Sequence, residues 1–182
     1  MPSLLDQLAE GAPYDLGRAA DVAAQVLARP ELIDELFDGL AADEAGIRHR
    51  SSHALHRVSV ARPDLLQPYK RELMTRVSRI DHWIVRSHFC QMLPRLGNLT
   101  PAERRRAIAL ARGWLGDRSS VVKAVALDCI VRLSLAPGFD AERAAAAHLA
   151  ETCAATGETP ALRARARLMR KLLAKLARAA GA

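Results

Sequence analysis

Apolar residues recur along the chain at intervals of three and four positions, which is the spacing of amphipathic helices. No run of strict apolar and polar alternation is long enough to predict a strand, so the pattern predicts an all-α protein. Prolines, glycines and capping residues divide the chain into separate helices. The predicted helices span residues 2–10, 15–28, 31–42, 46–60, 64–79, 82–96, 100–115, 119–135, 140–155 and 161–179.

Turn and cap signals support these boundaries. Residues 11–13, Gly-Ala-Pro, break the first helix from the second, for which Asp15 is the predicted N-cap. Residues 100–103, Thr-Pro-Ala-Glu, form a capping box with proline at the first helical position. Gly97 follows a predicted helix where a left-handed residue is favoured.

A short skeleton recurs at the start of every second helix. An acidic residue is followed five or six positions later by a basic residue, with an aliphatic residue just before the base. The copies are Asp43 with Arg48, Asp81 with Arg86, Asp117 with Lys123, and Glu158 with Arg163. The bases are separated by 38, 37 and 40 positions. A nearly fixed period in this range predicts a helical repeat protein.

The second helices also share one apolar stripe when they are aligned on this skeleton. Because nearly every position in the stripe is apolar or small, we expect it to be buried. Arg170 is the clear exception, in the terminal repeat, where one side can face water. The four stripes are Ile47, Ser51, Ala54, Leu55 and Val58; Val85, Phe89, Met92, Leu93 and Leu96; Val122, Ala126, Cys129, Ile130 and Leu133; and Leu162, Ala166, Met169, Arg170 and Leu173.

The skeleton, its downstream aliphatic residues and the paired-helix spacing resemble the HEAT repeat family, in particular small HEAT repeat proteins of the bacterial type. The resemblance covers about residues 31–179. It implies a single domain, residues 1–182, that is a right-handed α-solenoid of about four helical pairs behind an N-terminal helical segment. The implied divisions are the segment 1–30 and the repeats 31–63, 64–98, 99–138 and 139–182.

The same resemblance implies that the recurring acid and base are structural. Asp43 and Asp81 would bind backbone N–H groups at the turn inside each pair, and Arg48 and Arg86 would bridge to the neighbouring repeat. Helix N-termini independently favour an acid at such turns. Asp117 and Lys123 are the third copy of this ladder, which departs from the family pattern by a lysine and one inserted residue.

Charge is polarised along the chain. Residues 1–47 hold ten acidic and two basic residues, whereas residues 161–182 hold seven basic residues and no acidic one. This asymmetry favours steering of a charged partner or head-to-tail self-association. The alternative is that a thin solenoid simply fills its large exposed surface with arginine. We expect a monomer or weak self-association.

Cysteine usage and the absence of recognised motifs restrict the function classes. Cys90, Cys129 and Cys153 are few, odd in number and not in CxxC spacing, which indicates reduced thiols and a cytoplasmic protein. The first residues lack the basic and apolar blocks of a signal peptide, and no apolar run is long enough to span a bilayer. No nucleotide-binding or hydrolase motif is present, so we expect no cofactor and no enzymatic activity.

Histidines form the sharpest cluster of chemically active residues. His49, His53 and His56 share one face of the fourth helix, opposite the apolar stripe, and are therefore expected to be exposed. Three imidazoles at this spacing could hold zinc, but no nearby carboxylate or cysteine completes a site. We therefore expect no metal and a solvated, histidine-rich face that gains charge at acidic pH.

The first hypothesis for function is a non-enzymatic scaffold that binds another protein or a peptide. In HEAT-like solenoids the outer side of the second helices lines the concave surface, and its mixture of polar and small apolar residues suits a protein partner. The predicted contact residues on this face are His49, His53, His56, Ser87, Gln91 and Asp128.

The second hypothesis is a nucleic-acid-binding module that contacts the backbone of duplex DNA. Its predicted anion contacts are Arg104, Arg105, Arg106, Arg163, Arg167 and Lys171. Some HEAT-like folds are DNA glycosylases, which need an acid near aromatic residues in a cleft. Trp83 and Trp114 lie in no such motif. We expect Trp83 to pack at the start of a second helix and Trp114 to end the core stripe of a first helix.

Overall fold

A computed structural model gives the fold of residues 2–12 and 14–180, and Pro13, part of the predicted break, lies outside the described residues. The described chain is helical throughout and contains no strand, as the sequence pattern predicts. Its α-helices are α1 (Leu4–Ala9), α2 (Ala19–Ala28), α3 (Ile33–Gly39), α4 (Ala45–Ala61), α5 (Lys70–Leu73), α6 (Trp83–Met92), α7 (Pro101–Gly113), α8 (Ser120–Ser134), α9 (Asp140–Thr156) and α10 (Pro160–Ala180).

The chain forms two compact units. Unit 1 is Met1–Leu99, and α4 lies at its centre, packed against α1, α2, α3 and α6. Unit 2 is Thr100–Ala182, in which α8 packs against α7, α9 and α10, and α9 packs along α10. The division falls next to the predicted boundary between the second and third repeats. Continuity of the whole chain as one solenoid stays a prediction.

The predicted apolar stripes form the cores of both units. All five stripe positions are buried on α4 and on α8. The five positions from Val85 to Leu96, on α6 and the 3₁₀ turn after it, are also buried. On α10, Leu162, Ala166 and Met169 are buried, whereas Arg170 is exposed and pairs with Glu151. The prediction of a buried stripe is therefore confirmed. Burial of these side chains supplies most of the driving force that holds each group of helices together.

The first helix of the second predicted pair differs from its prediction, which was one helix over 64–79. The chain here forms 3₁₀ turns at Pro63–Tyr69 and Val77–Arg79 on either side of the single-turn helix α5. Pro68 lies inside the first turn and has no N–H to donate, so a regular helix cannot run through it. Pro94 has the same effect after α6, where Leu93–Arg95 is a 3₁₀ turn.

Two local predictions about turns are wrong. Asp15 does not cap α2, whose N-cap is Arg18. The Asp15 carboxylate instead accepts the N–H of Gly17 within the preceding turn. Gly97 does not take a positive φ, whereas Gly138 does, at 75°. Trp83 lies at the start of α6, as predicted, and is 37% exposed.

The predicted capping box of α7 is present. Thr100 Oγ1 accepts the N–H of Glu103 at 3.2 Å, and the Glu103 carboxylate accepts the N–H of Thr100 at 2.8 Å. Pro101 occupies the first helical position, where a missing N–H is harmless. Within the described residues, no helix has the length and apolar character needed to cross a membrane.

Candidate functional site

The recurring bases fold back onto the turn that precedes their own helix. Arg48 Nη1 donates to the carbonyl oxygens of Ala42 at 2.5 Å and Asp43 at 2.8 Å. Arg86 forms an ion pair with Asp81 at 3.0 Å, and Arg163 donates to the carbonyl of Gly157 at 2.6 Å. These contacts fasten each turn to the helix that follows it. The bridge from Arg48 and Arg86 to the neighbouring repeat, which the family resemblance implied, stays a prediction.

The third copy of the skeleton behaves differently. The Asp117 carboxylate is buried and accepts the N–H of Ser119 at 2.8 Å, which is the turn-binding role that the resemblance gave to Asp43 and Asp81. Lys123 reaches from α8 to Glu158, in the turn between α9 and α10. Its ammonium lowers the pKa of the Glu158 carboxyl through a hydrogen bond and through charge. Here the base connects two successive helical pairs.

The expectation of an exposed histidine face is wrong. His49 is 5% exposed, and His53 and His56 are half-buried, because α6 packs over this side of α4. Two histidines of the next predicted repeat, His82 and His88, join them. We call the five residues His49, His53, His56, His82 and His88 the histidine cluster.

The rings of the histidine cluster form one connected group. The His53 ring centroid lies 4.7 Å from that of His49 and 4.4 Å from that of His88. His56 stacks on His88 at 4.7 Å with an interplanar angle of 17°, and His82 lies 6.4 Å from His49. Sequence reasoning missed this group because it depends on which face of α6 meets α4.

Burial determines the electrostatics of the histidine cluster. It lowers the pKa of His88 to about 2, with further lowering by the charges of the neighbouring rings and Arg95. It lowers the pKa of His53 to about 4, again with the adjacent histidines and Arg57 as smaller causes. The pKa values of His49, His56 and His82 are lowered for the same main reason, desolvation of the charged form.

The histidine cluster does not have the geometry of a metal site. Within residues 2–12 and 14–180, no group of three or more histidine, cysteine, aspartate or glutamate side chains is arranged to hold a metal ion. His88 Nδ1 is instead 2.9 Å from Ser52 Oγ, and both side chains are buried. The rings therefore pack the α4–α6 interface.

The predicted protein-binding face is largely closed. His49 is buried and Ser87 is 1% exposed, so neither can contact a partner on the folded unit. Gln91 donates to the carbonyl of Ser87 at 3.3 Å. Asp128 is held by Arg132 at 2.6 Å and by Arg165 at 3.3 Å. These contacts assign the polar members of the predicted face to internal structure.

Arg104 and Arg105, at the start of α7, are also engaged in internal contacts. The guanidinium carbons of Arg104 and Arg105 lie 5.8 Å and 5.0 Å from the ring centroid of Phe139. Arg105 also pairs with Glu142 at 2.7 Å, and Arg104 donates to the carbonyl of Leu133. Arg106 is exposed. The first two fasten α7 to the segment around the start of α9, which leaves this triplet a weak candidate for phosphate contacts.

Helix α10 divides its bases into two sets. Arg163, Arg165 and Arg170 bind the Gly157 carbonyl, Asp128 and Glu151. The second set lies on one helical face and is exposed, and in the described chain none of its members pairs with a carboxylate. This set, which we call the α10 basic face, is Arg167, Lys171, Lys175 and Arg178.

The α10 basic face borders a groove between α9 and α10. The groove has a volume of about 510 Å³. Its lining combines apolar and charged residues, namely Ala147, Glu151, Arg167, Arg170, Lys171, Leu173 and Ala174. Sequence reasoning identified Arg167 and Lys171 as contacts, and the periodicity of α10 could have added Lys175 and Arg178, at four and seven positions beyond Lys171.

Sequence reasoning also missed a buried arginine. Arg50 is 2% exposed, and its guanidinium donates to the carbonyl oxygens of Leu8 at 2.5 Å, Ala12 at 2.8 Å, Ala9 at 3.3 Å and Asp15 at 3.3 Å. It therefore satisfies the carbonyls at the end of α1. The helical spacing could have predicted this burial, since Arg50 lies three residues after Ile47 and therefore on the buried side of α4.

Comparison of the chain with protein-family models, with curated proteins and with solved structures found no match. The resemblance to HEAT repeats therefore rests on the sequence skeleton and the helical pairing, and the candidate sites rest on their geometry.

Proposed function

We propose that the protein is a non-enzymatic binding module that contacts the phosphate backbone of double-stranded nucleic acid through the α10 basic face. The observation that carries this proposal is the set of four exposed bases on one helical face with no carboxylate partner in the described chain. Arg167 and Arg178 are separated by eleven residues, or about 16 Å along a helix. Such a row can contact several successive phosphates.

Preorganisation supports the same proposal. The apolar side of α10 is fixed against unit 2 by Leu162, Ala166 and Met169, which are all buried. Two other bases of α10, Arg165 and Arg170, are already paired. The first half of α10, which carries Arg167, is therefore docked, which lowers the conformational cost of binding there. Lys175 and Arg178 lie beyond these buried positions, where residues 174–179 are exposed.

The assignment as a non-enzymatic protein is supported by the placement of the nucleophile candidates. Cys90 and Cys129 are 1% and 0% exposed, and Ser52, which meets a histidine, is 0% exposed. A substrate cannot reach these groups on the folded protein, so we assign them to the core.

The test is binding to a mixed-sequence DNA duplex, measured by fluorescence anisotropy across a salt titration, with heparin as a polyanion control. Four phosphate contacts predict a slope of log affinity against log salt of about −3.6. We expect the affinity of the variant Arg167→Gln/Lys171→Gln/Lys175→Gln/Arg178→Gln for the duplex to depend much less steeply on salt. The matched control removes the same charge elsewhere, at Arg29, Arg71, Arg79 and Arg112, which are all exposed.

Loss of duplex binding in the α10 variant alone supports the proposal. Equal losses in both variants would show that net charge, rather than the α10 basic face, determines binding. Binding to heparin as tightly as to the duplex would reduce the basic face to a generic polyanion contact.

Binding of another protein is the second candidate function, and a groove between α2 and α4 favours it. The groove measures about 450 Å³ and is lined by Ala23, Leu27 and Val60, with Arg57 at its edge. Val60 is 58% exposed and so offers an apolar contact beside this groove. Partner capture that is lost with Val60→Glu and kept with Val121→Glu, a 45% exposed valine in unit 2, would support this function.

A further inference from the structure

We propose that the histidine cluster is an acid-sensitive switch, in which protonation of its rings opens the α4–α6 interface of unit 1 while unit 2 stays folded. The inference is independent of the proposed nucleic-acid binding. It rests on where the five rings lie and on which charged groups surround them.

The geometry of the rings favours their neutral forms. His53 is in ring contact with both His49 and His88, and His56 stacks almost parallel on His88. Two stacked imidazolium cations repel each other at this separation, and a buried interface screens this repulsion less than water does. A proton on any one ring therefore disfavours a proton on the next.

The charged groups around the histidine cluster are mostly basic. From α4, Arg57 acts on His53 and His56, Arg50 on His49, and Arg48 on His82. From the turn after α6, Arg95 acts on His56 and His88.

Few other groups face the rings. Tyr14, from the connection between α1 and α2, meets the His49 ring edge-on at 6.2 Å. Asp81 acts on His82, where its negative charge raises the pKa. It lies at the edge of the histidine cluster and also pairs with Arg86. The central rings of His53 and His88 therefore have to be neutral in the folded unit.

The direction of the pH effect follows from linkage. A histidine in the unfolded chain titrates near pH 6.5, whereas the pKa is about 4 for folded His53 and about 2 for folded His88. Below pH 6.5 the unfolded chain binds more protons than the folded unit, so acid favours unfolding. The stabilisation is complete above about pH 6.5 and decreases as the pH falls, down to about pH 4 for His53 and about pH 2 for His88.

Unit 2 provides an internal comparison. Its histidine is His148, which is exposed on α9 and lies outside the histidine cluster. The two tryptophans of the chain are also divided between the units, with Trp83 at the start of α6 and Trp114 after α7. Each unit can therefore be followed by the fluorescence of a single tryptophan in the full-length protein.

The experiment is urea denaturation of two full-length variants at pH 7.5 and pH 5.0. Trp114→Phe reports unit 1 through Trp83, and Trp83→Phe reports unit 2 through Trp114. Each histidine that stays neutral in the folded unit should raise the unfolding equilibrium constant by about 30-fold over this interval. His53 and His88 together predict a change of about 1000-fold for unit 1 and a much smaller one for unit 2.

A second substitution assigns the effect to the histidine cluster. His53→Phe, which keeps a ring but cannot titrate, should reduce the pH effect on unit 1 by about 30-fold, and His148→Phe should leave it unchanged. If His53→Phe fails to fold, the histidine ring signals of the wild-type chain can be titrated by NMR. Equal stability of unit 1 at both pH values, or five cluster histidines that all titrate near pH 6.5, would overturn the proposal.

Discussion

Ser52 Oγ on α4 lies 2.9 Å from Nδ1 of His88 on α6, and this hydrogen bond joins two buried side chains across the central interface of unit 1. Because water cannot reach either group, each depends on the other for its hydrogen bond. The bond therefore helps to fix the position of α6 against α4.

Ser52→Ala should lower the free energy of unfolding of unit 1 by about 1–3 kcal/mol. The substitution leaves a buried ring nitrogen of His88 without a partner, and that desolvation penalty exceeds the value of an ordinary hydrogen bond. Urea denaturation followed through Trp83 measures the change. Ser120→Ala, at the start of α8 in unit 2, is the control and should change stability by less than about 0.5 kcal/mol. Equal effects of the two substitutions would contradict the assigned hydrogen bond.

Arg48→Ala and Arg86→Ala should both destabilise unit 1 but differ in their response to salt. Arg48 donates to two backbone carbonyls, so its loss should cost about 1–3 kcal/mol at any ionic strength. Arg86 pairs with the carboxylate of Asp81, whose side chain is 69% exposed. Part of its effect should therefore disappear in high salt. The measurement is urea denaturation at low and high sodium chloride concentrations.

Identical salt responses of these two variants would show that the recurring base has one role in both repeats. A variant that kept its melting temperature but lost binding of a partner would instead show that the skeleton is part of a functional surface.

The helical pairing and the apolar core could be predicted from the sequence because both depend on local periodicity. The stripe from Ile47 to Val58 on α4 is buried as its spacing requires, and the capping box at Thr100 begins α7. The break at Pro68 could also have been predicted, since proline cannot donate to a helical hydrogen bond. The spacing of apolar residues alone predicts one continuous helix over 64–79.

The placement of polar residues could not be predicted in the same way. A helical wheel shows that the three histidines of α4 lie opposite the apolar stripe, but it does not show that α6 covers them. Arg50 is a related case, because its partners are carbonyls some forty positions earlier in the chain, at Leu8 and Ala9. Polar residues on a helix with neighbours on several sides can therefore be assigned to solvent only after packing is known.

Arg50→Met should destabilise unit 1 by at least about 3 kcal/mol, because it removes four hydrogen bonds from a charged donor and leaves their carbonyl acceptors unpaired. Arg57→Met, on the exposed side of the same helix, should have an effect of less than about 0.5 kcal/mol. Amide hydrogen exchange should show the largest loss of protection in α1. A uniform loss of protection across unit 1 would contradict a local role for this arginine.

Gly39→Ala and Gly113→Ala should change stability in opposite directions, although both glycines end a helix. A Cβ at Gly39 would collide with Ser51 Oγ and lie 2.8 Å from Leu5 Cδ2, so these side chains would have to rotate or α3 would have to move away from α4 and α1. We expect a loss of about 1–3 kcal/mol, as in other overpacked cores. A Cβ at Gly113 would meet no atom within 4 Å, and alanine there should stabilise unit 2 by about 0.5–1 kcal/mol by restricting the unfolded chain. Urea denaturation followed separately through Trp83 and Trp114 measures the two effects. A neutral Gly39→Ala would mean that α3 can shift without cost, and the close contact between α3 and α4 would then not be a constraint on the fold of unit 1.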